Sequence, residues 1–82
     1  MTWFVYLLRC RDGSLYTGIT NDLPRRLVRH RAGTASAYTR ARRPVRLVYQ
    51  ERQPDRRAAL RREAALRRLS RREKLELLRG AT

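Results

Sequence analysis

Seven of the eight residues from Trp3 to Cys10 are apolar, and they are apolar on both alternating faces. Trp3, Val5 and Leu7 would lie on one side of an extended strand, with Phe4, Tyr6 and Leu8 on the other. A strand with no polar face must be covered above and below, so it belongs in the middle of a sheet. In a chain of 82 residues that demand uses up most of the available core. The remaining elements are therefore expected to be arranged around this strand.

A second strand follows at once. Arg11-Asp12-Gly13 separates the first run from Ser14-Leu15-Tyr16-Thr17-Gly18-Ile19-Thr20. Asp12-Gly13 alone would make a two-residue turn, pairing Leu7 with Gly18 and putting Tyr6 and Tyr16 on opposite faces. A three-residue loop with Gly13 in the left-handed region pairs Tyr6 with Gly18 instead. The two tyrosines then share a face as diagonal neighbours. Local chemistry permits both registers.

Further on, Asn21-Asp22 caps a helix with Pro24 in its first turn, ending near Arg31 before Gly33. Leu23 and Leu27 mark its buried side, and Arg26 and His30 share a face. Residues 33–44 show no periodicity and read as a surface loop carrying Arg40, Arg42 and Arg43. Val45–Glu51 forms a third strand with Val45, Leu47 and Tyr49 on one face. Pro54-Asp55 caps a helix over 55–69, whose apolar positions are Ala59, Leu60, Ala64, Leu66 and Leu69. Ser70-Arg71-Arg72-Glu73 is a capping box opening a last helix, 71–79, with Leu75 and Leu78 inward and Gly80 as its stop. The order ββαβαα predicts an α+β fold, a three-stranded antiparallel sheet with strand 1 central and flanked by helices, in a single domain over 1–82.

The charge narrows the function. Twenty-one basic residues against seven acids give a formal +14, and all but Lys74 of the basic residues are arginine. Such self-repulsion calls for a polyanionic partner, and guanidinium forks suit phosphate. Nucleic acid is the first candidate. An anionic membrane surface bound through the leucine–arginine helices of 55–79 is a rival, weakened by the core's need for those leucines. No run is long enough to span a membrane and no signal peptide is seen, and Cys10 has no internal partner, so a cytoplasmic protein is expected.

Taken singly, the chemistry-bearing residues are ordinary. Glu63 borders the apolar stripe of its helix and stands at i, i+4 spacing from Arg67, as a surface ion pair would. Their order is more telling. Val5-Tyr6-Leu7, then Tyr16-Thr17-Gly18, then the spacing to Arg26 and His30, resembles the GIY-YIG nuclease superfamily. Tyr38-Thr39-Arg40-Ala41-Arg42-Arg43-Pro44 and Leu66-Arg67-Arg68-Leu69-Ser70-Arg71 resemble its small single-domain group, related to the nuclease domain of structure-specific flap endonucleases.

The resemblance implies metal-dependent phosphodiester hydrolysis of nucleic acid, with DNA favoured over RNA as the partner. Glu63 would hold one Mg²⁺ or Mn²⁺, Arg26 would clamp the phosphate, and Tyr6 or Tyr16 would activate water, with Tyr16 preferred by analogy. His30 would relay protons or hold a tyrosine hydroxyl, and Gly18 would leave room on the strand. Arg26, the metal and the positive field are expected to lower the tyrosine pKa. Arg25, Arg29, Arg40, Arg42 and Arg43 are expected to contact phosphates, giving affinity without sequence readout. Two departures stand out: the first motif keeps only its tyrosine, and Ile19 replaces the lysine some relatives carry after the second motif. With no second domain, targeting would fall to this module or to a protein partner. The alternative is a non-catalytic basic nucleic-acid-binding module with a degenerate site. A shared site requires both tyrosines on one face, so the resemblance favours the three-residue loop, with positive φ at Gly13 and Tyr6 opposite Gly18.

Overall fold

A computed structural model describes residues 2–80. The hairpin forms in the three-residue register. β1 (Trp3–Arg9) and β2 (Leu15–Thr20) pair antiparallel with Tyr6 opposite Gly18 and Leu8 opposite Tyr16. Cys10 and Ser14 close the loop, with Cys10 N–H donating to Ser14 O at 2.9 Å, and Gly13 has φ +84°. Asp12 fastens the tip by accepting from Ser14 N–H at 3.0 Å and Ser14 Oγ–H at 2.6 Å.

β1 is central in the order β2-β1-β3, all antiparallel, as its doubly apolar pattern requires. Helices cover both sides. Tyr6, Leu8 and Cys10 pack with Leu23, Leu27, Val45 and Leu47 beneath α1 (Leu23–Ala32). Val5 packs on the other side with Ala59 and Leu66 of α3 (Arg56–Arg67), Leu69 of the turn that follows, and Leu77 of α4 (Arg71–Gly80).

Four local expectations are corrected. Residues 37–40, read as loop, form a one-turn helix α2 (Ala37–Arg40) capped by Ser36, too short to show periodicity. In β3 (Arg46–Gln53) a bulge sets Leu47 opposite Leu8 but Tyr49 opposite Leu7. Tyr49 therefore leaves the face of Leu47, and its hydroxyl donates to Glu51, which also pairs with Arg62 at 2.6 Å. The second long helix ends at Arg67, and its inner stripe is Ala59, Arg62, Glu63 and Leu66, while Leu60 and Ala64 face solvent. In α4, Leu77 rather than Leu75 joins the core; the helix runs through Gly80, the last described residue, and the expected stop there falls at the edge of the described residues.

The capping box forms reciprocally: Ser70 N–H donates to Glu73 Oε1 at 2.9 Å, and Glu73 N–H donates to Ser70 Oγ at 3.1 Å. α4 has no fully buried residue and is docked by Leu77 and by Arg71 on Gly13 O, so the cap matters for holding its first turn helical. Ser70→Ala is expected to cost about 1 kcal/mol. It should lower the melting temperature and speed amide exchange in α4 ahead of the sheet; an unchanged melting temperature would contradict this.

Candidate active site

The geometry starts from Tyr6 and Gly18. The Tyr6 ring leaves central β1 and lies across the bare Cα of Gly18, so a Cβ built there would sit 2.5 Å from Tyr6 Cζ and closer still to its oxygen. A glycine is thus what lets the ring cross the edge strand β2. At the end of that path Tyr6 Oη is 2.8 Å from His30 Nε2, and both residues are buried. Asp22 caps α1 by accepting from Arg25 N–H, Pro24 lies in its first turn, and left-handed Gly33 ends it, which brings His30 over the sheet in the last turn.

His30 gathers three aromatic or hydroxyl neighbours. Tyr6 and Tyr16 meet its ring edge-on, with centroids 5.8 and 5.4 Å away. Nδ1 lies 2.8 Å from Oγ1 of the fully buried Thr39. Behind Tyr16 the rings continue outward: Tyr38 stacks on Tyr16 at 5.8 Å, and the Arg42 guanidinium covers Tyr38 at 3.8 Å. Arg42 is held by Asp12 at 3.2 Å and by Tyr38 O at 3.1 Å. The hairpin tip and α2 therefore brace the same column of rings.

The electrostatics differ from expectation at Tyr6. Its hydroxyl is pushed well above the usual tyrosine value, first by burial and then by neighbouring Tyr16, with Glu63 adding to the rise and Arg26 opposing it. The positive field was expected to lower the tyrosine pKa, but for Tyr6 desolvation outweighs Arg26. His30 is pushed down to about 4, by burial first and then by Arg26 and Arg29. At neutral pH the pair is an uncharged phenol bonded to an uncharged imidazole.

Glu63 reaches the same region from the opposite layer. Its side chain is 16% exposed, and Arg67 lies 3.4 Å from its Oε2 while donating to Thr17 O on β2 at 3.3 Å. The i, i+4 ion pair is thus present, and it ties the Glu63 turn of α3 to the edge strand that Tyr6 crosses. Among the described residues no cluster of three His, Cys, Asp or Glu side chains could hold a metal. A single, mostly buried carboxylate that also pairs with Arg67 suits a hard cation keeping water and phosphate oxygens in its shell better than zinc, which takes several nitrogen or sulfur ligands.

The arginines divide. Arg25, Arg26 and Arg29 line a cleft of about 530 Å³ with Thr20, Asn21 and Asp22, beside the start of α1. Arg40 and Arg43 line a different cleft, with Arg11 and Arg31. Arg43 is also bonded to Arg40 O and Arg31 O and packs on Gly33, so it and Arg42 are partly structural. Thr39, Ser36 and Tyr38 are the site neighbours that residue-by-residue reading passed over. Two signals point to them: Tyr38 and Thr39 open the Tyr38–Pro44 stretch that resembles the small single-domain group, and Ser36-Ala-Tyr-Thr39 starts with an N-cap residue inside an apparent loop.

Comparison with known proteins places this arrangement. A UPF0213 protein of Xanthomonas axonopodis pv. citri is 53% identical over 76 residues, covering 93% of this chain and 74% of the relative. One of Streptococcus sanguinis is 47% identical over 79 residues, covering 96% and 91%. The solution NMR structure of a UPF0213 protein from Bacillus halodurans superposes with TM-score 0.61 at 45% identity, covering 95% of this chain and 83% of that one. A second NMR structure, of a protein from E. faecalis, gives TM-score 0.66 at 36% identity, covering 98% and 85%. Residues 2–76 match the GIY-YIG catalytic domain, and the chain belongs to that family.

Proposed function

We propose that this chain, as one domain over residues 1–82, is a divalent-metal-dependent nuclease. It hydrolyses phosphodiester bonds in DNA, chosen by structure rather than sequence, as an endonuclease-like enzyme of DNA repair or processing in the cytoplasm. A protein partner would help target it. The reading is supported by convergence: Tyr6 and Tyr16 flank one buried histidine, and the charges of Arg26 and Glu63 are both felt at Tyr6.

Glu63 would hold the Mg²⁺ or Mn²⁺, which when bound supplies positive charge to the scissile phosphate. Arg26 clamps the same phosphate and favours its more highly charged transition state. Tyr16, half-buried beside His30, would orient the water and, acting as base in its phenolate form, would take the water's proton to become the phenol as the water oxygen bonds to phosphorus. The P–O bond to the leaving oxygen breaks, and that oxygen is protonated from solvent. Tyr6, whose hydroxyl holds its proton tightly, serves better as an oriented donor and support for His30 than as the base. Arg25 and Arg29 extend the phosphate contact from the same cleft, and Arg40, Arg42 and Arg43 provide outlying contacts.

The test is a panel of labelled single-stranded, duplex, flap and branched DNA with the purified protein and Mg²⁺ or Mn²⁺. Metal-dependent cleavage that is strongest on the branched or flap forms is expected. Salt-sensitive binding with no cleavage of any form under either metal would overturn the enzyme reading and leave a non-catalytic nucleic-acid module.

A further inference from the structure

The buried hydroxyls behind His30 form a directed chain. Tyr6 Oη, His30 Nε2, His30 Nδ1, Thr39 Oγ1 and Ser36 Oγ are joined by three contacts of 2.8 Å each. Ser36 Oγ also accepts from Thr39 N–H at 3.1 Å, which fixes the first turn of α2 and with it the Thr39 side chain. Tyr6, His30 and Thr39 are each 1% exposed or less. A proton left without an acceptor here has no water to turn to.

A neutral imidazole has one donor and one acceptor nitrogen, so only two arrangements exist. In the first, Tyr6 O–H donates to Nε2, Nδ1–H donates to Thr39 Oγ1, and Thr39 O–H donates to Ser36 Oγ. Every donor on the three buried side chains, Tyr6, His30 and Thr39, is used, and Ser36, which is only half-buried, ends the chain. In the second, Thr39 O–H donates to Nδ1 and Nε2–H donates to Tyr6 Oη. The Tyr6 proton is then left without an acceptor among the bonds of the described residues, because His30 is the hydroxyl's one partner. An unmade bond from a buried donor costs about 1–3 kcal/mol, a bias of about 5–150-fold.

We infer that Thr39, anchored by Ser36, is a positioning residue that holds His30 as the Nδ1–H tautomer, so that Nε2 is the acceptor facing Tyr6. Only a hydroxyl can play this part, since it must accept from His30 and donate onward in the same geometry. Valine has the same shape but can do neither. Serine keeps the hydroxyl and gives up a methyl. The tautomer stands on the hydrogen bonds alone; its consequence for cleavage rests on the nuclease reading above.

The two parts are read separately. Long-range ¹H–¹⁵N correlation spectra of the single imidazole at pH 7 report which nitrogen carries the proton, and with one histidine in the chain the signal needs no assignment. The wild-type protein is expected to show Nδ1 protonated and Nε2 bare, and Thr39→Ser the same. Thr39→Val is expected to lose that single tautomer. In cleavage, Thr39→Val should lower kcat by about 5–150-fold with KM little changed, and Thr39→Ser should restore most of it. A wild-type spectrum with the proton on Nε2 overturns the inference whether or not the variants fold. So does a Thr39→Val protein that keeps the Nδ1–H form. If the wild-type protein shows the Nδ1–H form but cuts no DNA, the nuclease reading falls and the tautomer assignment stands.

Discussion

Gly18→Ala is expected to destabilise the protein by roughly 1–3 kcal/mol. For a domain of this size that is a drop in melting temperature of about 4–8 °C per kcal/mol. The cause is local and steric. The new Cβ would stand 2.5 Å from Tyr6 Cζ and 3.0 Å from Cε1, and the clash is with the ring itself, which is buried and has nowhere to retreat. Either the ring or the strand must move. If the ring moves, the 2.8 Å bond to His30 breaks and a buried phenol and imidazole are left unpaired. Cleavage should then fall further than stability explains. A Gly18→Ala protein that melts like wild type, with Tyr6 still bonded to His30 in its NMR spectrum, would contradict this placement of the ring.

The second large effect is acid sensitivity carried by His30. Its folded pKa of about 4 lies below the unfolded value of 6.5, so between these values the unfolded chain binds the proton that the folded one refuses. Stability from this group is therefore full above about pH 6.5 and is lost as pH falls towards 4. A shift of this size corresponds to about 3 kcal/mol. The groups facing the ring explain the sign: Tyr6, Tyr16 and Thr39 offer burial and neutral partners, and Arg26 and Arg29 add positive charge. None of them is an acid that would welcome an imidazolium. Thermal melts from pH 7 to 4 should show this loss in the wild-type protein, and a folded His30→Gln variant should lack the part between 6.5 and 4. Equal slopes in the two proteins would refute the assignment. Asp12 and Glu73, both held below the usual carboxylate range by bonds with Ser14 and Ser70 respectively, also lose stabilising contacts in acid, at lower pH and in both proteins alike.

The sheet was legible because its central strand is unambiguous. A segment apolar on both faces has one place to go; the hairpin register, which Asp12-Gly13 left open between two loops, was favoured by motif order, and the three-residue loop is the one that forms. Helix starts were legible too, since Asp22, Asp55 and Ser70 are all N-cap types, and each caps the helix read from it. What sequence did not reveal turns on non-local effects. The β3 bulge shifts Tyr49 to the other face without any glycine or proline to announce it. Leu75 and Leu77 are both consistent with a helix of that length, and only the docking angle of α4 decides between them.

In the candidate site, motif order suggested Tyr6, Tyr16, Arg26, His30 and Glu63 as a set. It could not foresee that burial would outweigh Arg26 at Tyr6, because desolvation depends on how completely α1 and α2 close over the ring. Thr39 stands in the Tyr38–Pro44 motif, but its contact with His30 could not be foreseen, since α2 is a single turn with no period to detect. Conversely, Arg42 and Arg43 read as free phosphate contacts, yet both are bonded within the protein.

If these side chains form one metal-dependent site, Glu63 is the residue whose loss shows it most directly. Its ion pair with Arg67 involves a partner that is 58% exposed, so removing it should cost no more than about 1 kcal/mol. The decisive measurement is cleavage of labelled branched DNA by wild-type and Glu63→Ala proteins side by side, across a titration of Mg²⁺ or Mn²⁺. The expected result is saturable, metal-dependent cutting by the wild-type protein, and loss of cutting at every metal concentration in a Glu63→Ala protein that remains folded and still binds DNA. A Glu63→Ala protein that cuts at the wild-type rate would remove Glu63 from the metal site and contradict the account.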